Sequence, residues 1–128
     1  MLPEHLLRQI LDNLTTAVVL LDGSLRVSYM NPAAEMLLEV SGQRVQGQRI
    51  SSLFSDAVES MESLRNSISN GHPFTKREAQ LNLSNGQCLM VDYSVTPVQA
   101  SGRNWVLLEL LPRDRLLRIT KEEAQLSK

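Results

Sequence analysis

The sequence predicts an α+β domain in which one antiparallel sheet carries its helices on one side. Three observations carry this expectation. Apolar residues recur at helical spacing near the start and again over residues 55–70. Apolar and β-branched runs at residues 16–22 and 25–30 are split by a tight turn. From Leu81 onward the apolar period changes from near 3.6 to 2. Strands that come in blocks joined by short turns pair antiparallel and leave the helices to cover one face.

Pro3 suits the first turn of a helix, and Leu7, Ile10, Leu11 and Leu14 follow at three- and four-residue spacing, which makes residues 1–15 an amphipathic helix. Asp22-Gly23-Ser24 then separates the first two strands as a hairpin turn. At Asn31-Pro32 the asparagine side chain can accept from an amide of the next turn while proline presets φ, so residues 32–38 are predicted as a short helix. Gly42 and Gly47 bracket a loop, and residues 50–54 read as one more turn. Ser55 is predicted to cap a longer helix carrying Val58, Met61, Leu64 and Ile68, with Asn70-Gly71 as its stop. Leu81 and Leu83 lead to Asn85-Gly86, a two-residue hairpin signal. Beyond it Leu89, Val91, Tyr93 and Val95 alternate with polar or less apolar residues, as a half-buried strand requires. Residues 100–103 form another turn, residues 104–111 a last strand ended by Pro112, and the remainder an exit helix supported by the Asp114 to Arg118 spacing. The division expected is residues 1–15 as amino-terminal helix, 16–112 as the domain and 113–128 as the start of a linker helix.

Composition bounds the rest. The chain has 128 residues, 42% of them hydrophobic and 21% charged, enough for one core and not two. Such a domain buries about two thirds of its unfolded surface, so it needs no metal or disulfide staple. Cys88 is single and cannot form an internal bridge. No apolar run reaches the roughly 18 residues needed to span a bilayer, and the opening lacks a secretory pattern, so the expectation is a cytoplasmic protein without membrane attachment. A net charge of −1 without blocks of like charge excludes the electrostatic footprint of a nucleic-acid binder.

The stretch Ala-Val-Val-Leu-Leu-Asp-Gly-Ser-Leu-Arg-Val-Ser-Tyr-Met-Asn-Pro-Ala-Ala-Glu-Met-Leu-Leu, residues 17–38, resembles a PAS domain, with Asn-Pro-Ala-Ala-Glu at Asn31 to Glu35 its most specific piece. Gly47 before Ile50-Ser-Ser-Leu-Phe, and Ser94-Val-Thr-Pro-Val, fit the same family, and the resemblance covers about residues 6–111. It implies a five-stranded antiparallel sheet with short helices on one face. The Ile-Leu-Asp-Asn-Leu opening, the Leu-Leu-Glu-Leu final strand and the Pro-Arg-Asp-Arg exit are similar to the amino-terminal part of nitrogen-regulation (NtrB-type) sensor histidine kinases. That likeness implies a dimerising regulatory domain whose parent kinase acts on an NtrC-type response regulator under control of a PII signal protein. The kinase region itself is expected beyond Lys128.

No catalytic, cofactor-binding or metal-ligating residue is nominated. His5 and His72 lack the acidic neighbour and following Asn-Pro of a phosphoaccepting histidine, and surface histidine accounts for both. No phosphate-cradling loop is present. Cys88 follows a turn on a strand, away from the helix where flavin-binding relatives hold their reactive thiol, and residues 55–70 contain no histidine for haem. The ligating side chains a metal needs are not clustered. Asn31 reads as a helix cap before it reads as a ligand contact. A metabolite between sheet and long helix would be lined by Val19, Tyr29, Leu37, Met61, Leu64, Val91 and Tyr93, with few polar groups to orient it, so a filled core is favoured. The amino-terminal helix is the better candidate: its stripe of Leu7, Ile10, Leu11 and Leu14 must be covered by its own sheet or by a second copy in a homodimer. The reading is therefore a signal-relay module, with a small-molecule-binding PAS sensor of another signalling protein as its rival.

Overall fold

A computed structural model describes residues 3–56, 65–66 and 69–113. Pro3, in extended conformation, precedes helix α1 (Glu4–Asp12). Asn13 closes the helix, donating from both its backbone amide and its side chain to the carbonyl of Gln9. Strand β1 (Ala17–Asp22) turns into β2 (Val27–Met30), and Asp22 Oδ1 holds the turn by accepting from the amides of Ser24 and Arg26 at 2.9 and 3.0 Å. Helix α2 (Pro32–Leu38) follows at once, and the glycine-bracketed loop contains a one-turn helix, α3 (Gly42–Val45), before a 3-10 turn over Ile50–Ser52. Then come β3 (Phe54–Asp56), β4 (Phe74–Leu83), β5 (Cys88–Ala100) and β6 (Arg103–Pro112). Among the described residues no helix is long and apolar enough to cross a membrane.

The strands form one antiparallel sheet of six in the order β2-β1-β6-β5-β4-β3. Its inner face is a continuous apolar layer. Ala17, Val19 and Leu21 lie opposite Leu110, Leu108 and Val106, and the layer runs on through Tyr93, Val95, Val91, Ala79, Leu81, Leu89 and Leu83, all buried. Ala34 and Leu38 of α2, Val45, Ile50 and Leu53 cover it. Alternation in the strands and the 3.6-residue period of α2 thus meet in one core, as an α+β architecture demands.

Three local expectations change. Ser55 does not cap a helix; it sits mid-strand in β3 opposite Asn82, which gives the sheet a sixth strand instead of the five implied by resemblance. Its neighbour Phe54 is buried opposite Leu83, and that tertiary gain outweighs the capping preference of an isolated serine. The Asn85-Gly86 hairpin has a three-residue connection, because Leu83 and Gln87 close the ladder and only Gly86 takes positive φ, at 92°. The two-residue, left-handed turn lies instead at Ser101 and Gly102, with φ of 53° and 71° between the paired residues Ala100 and Arg103. Residues 65, 66, 69 and 70 are helical and Gly71 follows at positive φ, as the predicted stop requires. Val58, Met61, Leu64 and Ile68, and the exit helix from Asp114 on, lie outside the described residues.

Asn31 ties the parts together. It is completely buried, and each half of its amide makes two hydrogen bonds. Oδ1 accepts from the amides of Val18 in β1 and Ala34 in α2, at 2.9 and 3.0 Å. Nδ2 donates to the carbonyls of Leu11 in α1 and Thr16, at 3.1 and 2.9 Å. The partners fix which atom is oxygen and which nitrogen. Replacing Asn31 by Ala leaves the buried amides of Val18 and Ala34 without their acceptor and takes a donor from the part-buried carbonyls of Leu11 and Thr16, and we expect a loss of about 3 kcal/mol. Equilibrium urea unfolding measures it; a loss under about 1 kcal/mol would show that water takes over the four bonds.

Candidate functional site

The outer face of the sheet and the elements at its two ends form the candidate site. Leu20 of β1 lies opposite both Tyr29 and Leu107, and Val18 opposite Glu109, so these residues share the face turned away from the core. Thr96, Trp105 and Leu107 are half-buried there, whereas Val98 and Leu111 are exposed.

Besides the bond from Asn31 to the Leu11 carbonyl, helix α1 meets the edge of this face at Tyr29. The Tyr29 hydroxyl donates to the Asp12 carboxylate, and the Arg8 guanidinium lies 5.8 Å from the centre of its ring, a cation–π contact. Arg8 and Asp12 are one helical turn apart, so both reach the same ring. Burial first, then the hydrogen bond to Asp12 and the Asp12 charge, push the Tyr29 phenol well above its ordinary range, while Arg8 pulls the other way.

Of the residues predicted to line a pocket, Val19, Val91 and Tyr93 are buried members of the core, and Leu37 is partly buried against that core. Tyr93 meets Phe74 edge-to-face at 6.2 Å. Tyr29 is not among them: strand alternation puts Met30 on the inner face and turns Tyr29 outward to α1. Met61 and Leu64 lie outside the described residues. Of the predicted contact stripe, Leu7, Ile10 and Leu14 are 46%, 46% and 41% exposed, and Leu11 is half-buried. Nothing in α1 is fully buried, so its own sheet does not cover the stripe. His5 lies on the exposed surface of α1, and His72 is exposed just beyond Gly71. Cys88 is an exposed rim thiol bonded to Asn82.

The other end of the site has no signature in the sequence. Arg113, the first residue after β6, donates its amide to the carbonyl of Met90. Its guanidinium bridges Glu78 at 3.2 Å and Asp92 at 3.5 Å. Asp92 also accepts from the amide of Glu78, which stands in a β4 bulge at a φ of 55°. Three strands thus converge on the point where the chain leaves the sheet. No local pattern links positions 78, 92 and 113; only the register of β4, β5 and β6 does.

A model of the PAS fold matches residues 5–111. The chain belongs to the PAS family. Within it, the sensory histidine kinase/phosphatase NtrB of Vibrio alginolyticus is 30% identical over 113 residues, covering 88% of this chain and 32% of the relative. The NtrB of Escherichia coli O157:H7 is 32% identical over 117 residues, covering 91% and 32%. The chain therefore spans about a third of the length of the curated relatives it matches. The crystal structure of the PAS domain of nitrogen regulation protein NR(II) from Vibrio parahaemolyticus superposes with a TM-score of 0.73 at 29% identity, over 84% of this chain and 98% of that one. This PAS domain is thus homologous to the PAS domains of NtrB sensor kinases.

The raised Tyr29 phenol has a measurable sign. Unfolded, it ionises near 10.0; folded, it keeps its proton to higher pH. Its contribution to stability is complete below pH 10 and is lost as pH climbs through the folded value. Between about pH 9 and 11 the urea midpoint should fall more steeply for the wild type than for Tyr29→Phe; parallel slopes would mean that Asp12 does not hold the phenol.

Proposed function

We propose that this PAS domain is the regulatory, dimerising module of a cytoplasmic nitrogen-regulation histidine kinase, and that it relays signals to kinase and phosphatase domains following Lys128. The parent would act on an NtrC-type response regulator and answer to a PII signal protein. The chemistry of phosphotransfer would belong to the domains beyond this chain. The observation that carries the relay is the anchoring of Arg113 to Glu78 and Asp92, since a displacement of β4 or β5 moves the root of whatever follows β6. The likeness to NtrB relatives supports the choice of output.

The anchor is half-exposed, so its value lies in position more than in stability. In the full-length protein, Asp92→Asn should change the ratio of kinase to phosphatase activity severalfold while the unfolding midpoint moves little. An unchanged ratio would remove the sheet exit from the signalling route.

Dimerisation falls to α1. A second copy would cover Leu7, Ile10 and Leu14, and two such helices packed together would remove apolar area that one sheet leaves wet. Leu7→Asp with Ile10→Asp puts charges into that contact without touching the half-buried Leu11, and should yield a folded monomer in sedimentation equilibrium. A wild type that stays monomeric at high concentration, or a variant that still dimerises, would overturn this role for α1.

A further inference from the structure

Away from α1 and the sheet exit, a solvent-open groove of about 470 Å³ is lined by Ser24, Arg26, Arg49, Arg65 and Ser69, together with the turn residues Gly23 and Leu25. Its floor is built by hydrogen bonds. Arg26 and Arg49 are partners in an antiparallel bridge, flanked by Val27 N to Gln48 O and Ile50 N to Leu25 O, each 2.9 Å. Arg26 is fixed further by donating from its guanidinium to the carbonyl of Gly47 at 2.8 Å. Arg65 and, four residues on, Ser69 complete the described lining.

The groove gathers three exposed positive charges. Like charges directly opposed across a bridge repel, and the third guanidinium adds to the same field on a chain whose net charge is −1. Among the described residues, no carboxylate lines the groove. Asp22, next along the turn, has its Oδ1 engaged by the amides of Ser24 and Arg26. Among the described residues, neither Arg49 nor Arg65 has an ion pair or hydrogen bond from its side chain.

We propose that the groove binds a small organic anion carrying two or more phosphate or carboxylate groups. Guanidinium forks match both groups in bidentate geometry, and the two serine hydroxyls can serve the remaining oxygens. The volume lies within the range of metabolite sites and exceeds what a single inorganic ion fills. The site is separate from the relay described above, so either can fail without the other.

The test is a titration of the intact chain, followed by amide NMR shifts, with pyrophosphate and with citrate at constant ionic strength. Saturable shifts concentrated at Ser24, Arg26, Arg49 and Ser69 are expected with at least one of the two. Pyrophosphate binding tighter assigns phosphate chemistry, and citrate binding tighter assigns carboxylate. Arg49→Gln and Arg65→Gln should each weaken the dissociation constant about tenfold, while Arg77→Gln, an exposed arginine on β4, leaves it unchanged. Shifts that never saturate with either anion, or that spread over the whole surface, would overturn the proposal. So would dissociation constants unchanged in Arg49→Gln and Arg65→Gln whose spectra remain those of the folded wild type.

Discussion

One primary amide organises the amino-terminal half of this domain. The Asn31 side chain offers two acceptor lone pairs and two donor hydrogens, and the fold supplies a partner for every one: two amides from β1 and α2, two carbonyls from α1 and the segment before β1. Aspartate has the acceptors without the donors, and serine lacks the reach to serve all four, so the position discriminates sharply between similar residues. Because the group is wholly buried, each bond matters more for what its absence would leave unpaired than for its own strength. Through the carbonyl of Leu11, this one side chain also ties the end of α1 to the sheet.

Where an element's position depends on neighbours in the chain, the amino-acid sequence alone makes it legible. Asn31-Pro32 announces α2 because capping and a preset φ are local chemistry, and the alternation around Val91 and Tyr93 announces β5 for the same reason. Sequence and fold part company where a distant partner decides. Ser55 has the chemistry of a cap, but Leu83, far along the chain, supplies the buried surface that draws Phe54 into a strand. Hydrophobicity alone assigns the Tyr29 ring to the core, yet the bulge and register of β1 and β2 fix its face, and that register is a property of the pair.

The same distinction governs the site. The apolar stripe of α1 is periodic and therefore legible in the sequence; that its own sheet leaves it uncovered is a tertiary fact. The acidic pair that holds Arg113, and Arg26 with Arg49 beside the β1–β2 turn, are assembled from residues far apart in the chain, joined by pairings whose register no window of sequence contains. Arg8 and Asp12 occupy a middle ground. Their four-residue spacing is plain in the sequence, but the ring of Tyr29 that both reach is placed only by the fold.

The strand order has a consequence for how such a domain can be used. β1 and β6 are neighbours within the sheet, and Ala17, where β1 begins, pairs with Leu110, near where β6 ends. The polypeptide therefore enters and leaves from the same side. A domain with that geometry can be spliced into a longer chain as a bead whose two flanking segments stay close together, and it can be exchanged between host proteins without prying their own elements apart.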